Sequence, residues 1–491
     1  MNKKPWEKLL PYLRKMDDYN HLASILNYDI ATNTPEKGIE DESNLLNMVS
    51  GWLADIMVDP NYVEAVRECA KDDSLNEMQK SLIKKHLIEI EVFEKMPREE
   101  FDELNALKSK SNEMWRKFKP LDDFASWLPY WEKLVFAYRK SLKYRQKEGQ
   151  TPYEAALSQY EPGESEASIE MVFNPLKEFL LKKIPEVVEK EKSISYRPLK
   201  PYSEDAQRHL SFTLLRLIGY KLDQGCVRES MHPFSDYTGR YDSRVTTDYV
   251  VSDWRSNAFS IIHEGGHCIQ FQNWSDEMFE NHVNASATTA NYETHSRFYE
   301  NIIGRSMSFV PSFKAACAKE LDPEFASWSD QEFFDLINQV KPIANRCDSD
   351  ELTYSLHIII RYEIERDLIN GKIEPKDVPA IWRKKYIDYL GVDEATDKEG
   401  CMQDVHWTDA SFGYFPSYAL GNVYGAQILA AMKKDLDFEK LVRDGNLIPI
   451  RKWFKKKDFC NDWMEPKDWI KKVTGEELNL SHYIDYLNEK F

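Results

Sequence analysis

The chain has 491 residues, 42% of them hydrophobic and 30% charged, so it is too apolar for a disordered protein and long enough to bury a large core. A formal net charge of −18 argues against a surface built to hold phosphate backbones or anionic lipid, and neither nucleic acid nor membrane is expected as a partner. Seven widely spaced cysteines, an odd number with no C-x-x-C, read as reduced thiols rather than a disulfide framework.

The N-terminus, Met1 to Trp6 followed by Glu7, Lys8 and Arg14, carries no apolar signal segment. No stretch approaches eighteen apolar residues, and the expected compartment is the cytoplasm. Glycine is scarce, 18 residues against a usual ~7%, which favours long helices over many short strands. Helical spacing of apolar residues recurs at Leu75, Leu82, Ile83, Leu87 and Ile90, then at Trp127, Tyr130, Trp131, Leu134, Val135 and Tyr138. Turns are signalled at Thr34-Pro35, Glu161-Pro-Gly163, His232-Pro233, Asn370-Gly371 and Phe415-Pro416. The best strand candidate is Val245 to Trp254, rich in Val, Thr and Tyr. A third helical pattern runs through Leu352, Leu356, Ile359, Ile360 and Ile364. No repeat or linker interrupts the chain, so residues 1–491 are expected to form one unit, mainly α, of one or two lobes. At most a very small β-sheet is expected.

The sharpest chemical feature is His263-Glu264-Gly265-Gly266-His267, an H-E-x-x-H. On a helix, positions i and i+4 are neighbours, so both imidazoles can reach one zinc ion, while Glu264 is turned aside to hold the metal's water. Ile261, Ile262, Ile269 and Phe271 flank the motif with apolar residues, and two adjacent glycines cost a helix interior about 1 kcal/mol each against alanine. Such a cost suggests a close approach to the backbone. A catalytic zinc needs a third protein ligand and an open position. Glu277, Glu280, His282, Glu293, His295 and Glu300 are candidates, and spacing alone does not choose among them. Glu293 and Glu300, seven apart, share a helix face, so one can be the ligand and the other an acceptor for a ligand's ring. Less specific pieces are His232-Pro-Phe234, Asp242-Ser-Arg244-Val-Thr246, Arg346 in Asn345 to Asp350, and Gly400-Cys-Met-Gln-Asp-Val-His406-Trp407. Each also reads as ordinary packing or a surface ion pair. Cys268 beside the metal motif reads as a core residue.

In that order, these pieces resemble the carboxypeptidase Taq family, whose motifs are H-P-F, D-x-R-x-T, H-E-x-x-H, H-E-S-Q, I/N-R-x-x-A/S-D and G-x-x-Q-D-x-H-W. The stretch Asp409 to Asn422 adds to the likeness. One motif departs: where the family reads H-E-S-Q, this chain reads Tyr292-Glu293-Thr294-His295. The glutamate is kept, so the resemblance selects Glu293 as third ligand and leaves His295 as an added group expected within reach of the site. The resemblance implies an all-α fold with a long central groove, a homodimer, and a zinc-dependent metallocarboxypeptidase. Peptides would be its substrates, with broad specificity and proline disfavoured; cobalt or manganese are substitutes the same ligands accept. Glu264 is then the general base, and His406, Tyr418 or Tyr424 the donor to the oxyanion. Arg346, with Arg244 second, is the expected reader of the terminal carboxylate, oriented by Asp350 and Asp242 respectively. His232 is a further substrate-binding candidate. A zinc oligopeptidase cutting internal bonds and a non-catalytic helical binding protein are the rival readings.

Overall fold

The computed structural model describes residues 4–283, 288–393 and 396–491. The three periodic patterns form helices Glu77–Lys95, Phe124–Ser141 and Glu351–Ile369. Each is started by a side chain that accepts from the backbone three residues on: Asn76, Asp123 and Asp350. The first two bury one stripe, Met78, Ile83 and Ile90 on one and Trp127, Trp131, Leu134 and Val135 on the other. The third is buried from Glu351 through Glu365, as befits a helix at the centre of the molecule. Among the described residues there are twenty-one α-helices and one three-stranded sheet. Gly163 and Gly371 adopt positive φ at two of the expected turns. The Phe415-Pro416 turn is instead a helix start, with proline at the first position of helix Pro416–Asp435, where its missing N–H costs nothing.

The sheet sits earlier in the chain than its composition suggested. Strand β1 is Val227–Glu229, β2 is Ser235–Gly239 and β3 is Asp242–Thr247. The order is β1-β3-β2, with β1 parallel and β2 antiparallel to β3. The Val-Thr-Tyr run continues past Thr247, but the Asp253 side chain accepts from Arg255 N and starts helix Trp254–Phe271. β2 and β3 lie against that helix, and the Cys268 thiol donates to the Arg244 carbonyl across 3.6 Å. One continuous hydrophobic core reaches from Met78 to Leu487, and a smaller one, including Leu9, Leu13, Tyr62, Val66 and Ile90, belongs to the N-terminal helices.

Helix Thr289–Arg297 is held between helix Trp254–Phe271 and helix Pro416–Asp435. Glycines make both contacts possible. A Cβ on Gly266 would lie 2.9 Å from the Ser296 Cα and 3.1 Å from the His295 carbonyl oxygen. A Cβ on Gly421 would lie 3.0 Å from both the carbonyl carbon and the Cβ of Glu293. Gly265 serves another neighbour, admitting Leu215 and Ile218 to within 2.7 and 2.8 Å of the same imaginary atom. The paired glycines of the H-E-x-x-H are therefore explained by backbone approach on one side and side-chain packing on the other.

The His295 imidazole takes its hydrogen-bond partner away from the metal motif, although its charge is felt at His267. It faces the C-terminal segment, where its Nε2 lies 3.1 Å from Asp458 Oδ2 with both residues fully buried. Burial alone would lower the His295 pKa, but the Asp458 carboxylate raises it. Trp469 Nε1 donates to the other Asp458 oxygen at 3.0 Å. Gln270 and Trp274 donate to Asp462 at 2.6 Å each, so the same segment is tied to the H-E-x-x-H helix.

Two stability predictions follow from these contacts. Gly266→Ala and Gly421→Ala each force a helix apart and should cost about 1–3 kcal/mol, while Gly51→Ala, in open space on an exposed helix, should be neutral or stabilising by about 0.5–1 kcal/mol. Thermal denaturation of the three variants checks this; equal melting temperatures would refute it. His295→Leu leaves Asp458 buried without a cation and should cost about 3–5 kcal/mol. A melting temperature equal to that of wild type would show that the pair contributes nothing.

Candidate active site

Helix Trp254–Phe271 places His263 and His267 one turn apart, with ring centroids 5.0 Å apart and planes at 84°. Both Nε2 atoms point to one carboxylate oxygen, Glu293 Oε2, at 3.7 and 4.0 Å. The three ligand atoms lie within 4.8 Å of one another, the one such group found among the described residues. Glu293 Oε2 is beyond hydrogen-bonding distance of either Nε2, and the three atoms face one point. That donor set, two histidines and one glutamate, is one that catalytic zinc sites use. The residues present fit a metal ion.

The supporting shell fits as well. His263 Nδ1 lies 2.8 Å from Glu300 Oε2, which fixes the tautomer and leaves Nε2 for a metal. Glu300 stands in a seven-residue π-helical turn, Phe298–Gly304, that continues the Thr289–Arg297 helix. Burial alone would raise its pKa, but the Arg297 guanidinium, with His263 and Arg305, holds it well below the usual carboxylate range. Ser296 donates to the Glu293 carbonyl at 2.9 Å and to its Oε2 at 3.3 Å. Burial and the neighbouring His263 keep His267 neutral, the form in which imidazole binds a metal. Glu264 lies one residue from His263 and is buried; burial raises its pKa, opposed by His263 and by a hydrogen bond from Ser235 of β2.

A second cluster faces this one. Arg346 Nε donates to Asp404 Oδ1 and Arg361 Nε to Asp404 Oδ2, each at 2.6 Å. Gln403 Oε1 accepts from the Arg346 backbone at 2.9 Å and from Arg361 Nη2 at 2.7 Å. The Q-D of the G-x-x-Q-D-x-H-W motif thus holds two buried arginines. Burial would raise the Asp404 pKa, but Arg346 and Arg361 keep it well below its usual range. The acid that orients Arg346 is therefore Asp404 and not Asp350, which caps helix Glu351–Ile369 and accepts from Lys341 N. The guanidinium lies 5.0 Å from the Tyr418 ring centre, with Nη1 3.5 Å from the Tyr354 hydroxyl. Its charge reaches Glu293.

His406 packs beside this arginine, 4.6 Å from Phe415 between ring centres and with Nε2 3.4 Å from the Tyr418 hydroxyl. Burial, with Arg346 next, pushes its pKa down to about 3, so the ring is neutral. The structure does not bring Tyr424 here. Six residues past Tyr418 on the same helix, it turns to another face and is buried edge-on against Trp469. Arg244 is taken up by Asp242 at 2.7 Å and lies over Tyr28. His232 is exposed, and its carbonyl accepts from Ser230. Thr246 accepts from Phe234 N, so the last residue of D-x-R-x-T anchors H-P-F. Sequence reasoning missed Arg361 and Arg297. The signal for Arg361 was a charged residue inside the apolar run Leu352–Ile364. For Arg297, over the Tyr354 ring at 3.9 Å, it was its place four residues after Glu293.

The family model for the carboxypeptidase Taq (M32) metallopeptidases matches residues 8–491. Carboxypeptidase 1 of Bacillus subtilis (strain 168) is 35% identical over 483 residues, covering 98% of this chain and 96% of that protein. Thermostable carboxypeptidase 1 of Pyrococcus furiosus is 28% identical, covering 99% and 98%. Among solved structures, Pyrococcus furiosus carboxypeptidase in an Apo-Mg form superposes with a TM-score of 0.95 at 27% identity, covering 100% of this chain and 99% of that one. Trypanosoma cruzi metallocarboxypeptidase 1 does so with 0.93 at 29% identity, covering 99% of each. With a site of this donor set and a match along nearly its whole length, the chain belongs to the carboxypeptidase Taq (M32) family and is a metallocarboxypeptidase.

Proposed function

We propose that this carboxypeptidase is zinc-dependent, that His263, His267 and Glu293 hold the metal, and that it removes C-terminal residues from peptides with broad specificity, proline being disfavoured. The observation that carries the reading is the convergence of three ligand atoms beside one buried carboxylate that is not among them. When bound, zinc lowers the pKa of its water to about 7 and polarises the scissile carbonyl. Glu264 accepts the proton of the attacking water and returns it to the leaving nitrogen. His406 and Tyr418 stand as hydrogen-bond donors for the carbonyl oxygen as charge develops on it. The neutral state of His406 suits it to donate from one ring nitrogen without bringing a charge of its own.

Arg346 reads the substrate's terminal carboxylate. Asp404 occupies its Nε, so the Nη edge beside Tyr354 and Tyr418 is the part left for a ligand. Arg361 shares Asp404 and acts as a positioning residue. The resemblance to the family supports a homodimer. Seven free cysteines suit a reducing cytoplasm, and among the described residues no helix is long and apolar enough to cross a membrane.

Two measurements test this. Glu264→Gln should keep about one zinc per chain by metal analysis and lose about 10²–10⁴-fold in kcat, since an amide takes no proton; loss of metal together with activity would make Glu264 structural. Wild type should cleave a free-acid peptide far better than its C-terminal amide. Arg346→Ala should lose about 10–100-fold in kcat/KM on the acid and erase that preference. Equal cleavage of acid and amide by wild type would favour an oligopeptidase. A preference that survives in Arg346→Ala would place the carboxylate reader elsewhere.

A further inference from the structure

We infer that Tyr292 is a positioning residue that orients His267 by stacking, in place of the hydrogen-bonded carboxylate that orients His263. The two histidines are held in different ways. His263 gives its second nitrogen to Glu300 at 2.8 Å. His267 Nδ1 is buried with no side-chain hydrogen-bond partner, and the Tyr292 main chain is the polar group beside it. A metal-binding imidazole whose second nitrogen meets no carboxylate is held less firmly about its Cβ–Cγ bond, and a ring packed on its face takes a larger part in fixing it. The Tyr292 ring lies flat on the His267 ring, centroids 3.6 Å apart and planes at 10°. The Phe271 ring lies nearly parallel to that of Tyr292, at 5.7 Å and 19°.

The stack is also anchored at its far end. The Tyr292 hydroxyl lies 3.1 Å from Ser235 Oγ, and Ser235 also hydrogen-bonds Glu264. Strand β2 thus joins the ring that orients one histidine to the proposed base. This gives a physical role to one of the positions at which the chain departs from H-E-S-Q. Tyr292 offers no side-chain atom to the metal. It offers a plane.

The inference rests on the proposed metal site, and the experiment separates the two. Apo wild type, Tyr292→Phe, Tyr292→Leu and Tyr292→Met are titrated with zinc against a chromophoric chelator, and the visible spectra of the cobalt-loaded proteins are recorded. Tyr292→Phe keeps the plane and should bind zinc within about threefold of wild type, with the same cobalt spectrum. Tyr292→Leu and Tyr292→Met lose the plane and should bind zinc about 10–100-fold more weakly, with a shifted cobalt spectrum. Circular-dichroism melts of the apo proteins show which variants are folded, and a folded Leu or Met variant is sufficient. Wild-type affinity and an unshifted spectrum in either would overturn the inference. Glu293→Ala is the separate control: undiminished zinc binding there would overturn the site itself, whatever Tyr292 does.

Discussion

The site depends on how close one short helix can come to two others. Helix Thr289–Arg297 carries Glu293, and its backbone lies against Gly266 on one side and Gly421 on the other, with no room for a methyl group at either. Helix axes separated by side chains can slide as those side chains change rotamer; contacts between backbone and glycine have no such freedom. The distance between the helix that carries Glu293 and the helix that carries the two histidines is therefore set by main-chain geometry. Gly266, which looks costly within the H-E-x-x-H helix, is what lets the helix that carries Glu293 come this close.

Around that fixed point the interior is filled with charge that has been paired with care. Glu300 is shared by His263, Arg297 and Arg305, and Asp404 by Arg346 and Arg361. Buried ions are expensive unless their partners are in place, and in each cluster a single carboxylate answers more than one cation. The arrangement leaves the guanidiniums oriented but not fully consumed, which is the condition for one of them to take a further anion.

Much of this was legible in the sequence. The mainly α architecture, three helices by their apolar spacing, the i, i+4 histidines and the shared face of Glu293 and Glu300 all rest on local periodicity, which a sequence records directly. What could not be read depends on segments far apart in the chain. Asp404 meets Arg346 across 58 residues, whereas the nearer Asp350 is a helix cap. His295 lies two residues from Glu293, which put it near the site in sequence, but the helix turns it toward Asp458, 163 residues on. Tyr424 shares a helix with Tyr418 and not a face. The strand was placed late because valine, threonine and tyrosine suit both the end of β3 and the loop after it, and only Asp253 marks where the helix takes over.

The glycine contacts on the Glu293 helix also bear on how such a centre can be remodelled. Because the backbone at Glu293 is fixed by these contacts, the side chains on either side of it are released from that duty. Tyr292 can stack on an imidazole and His295 can bind a distant aspartate, each drawn to a different part of the molecule, without moving the carboxylate between them. A motif of this kind is rigid at one letter and adaptable at its neighbours. The metal triangle can keep its dimensions while the groups that tune and brace it are exchanged.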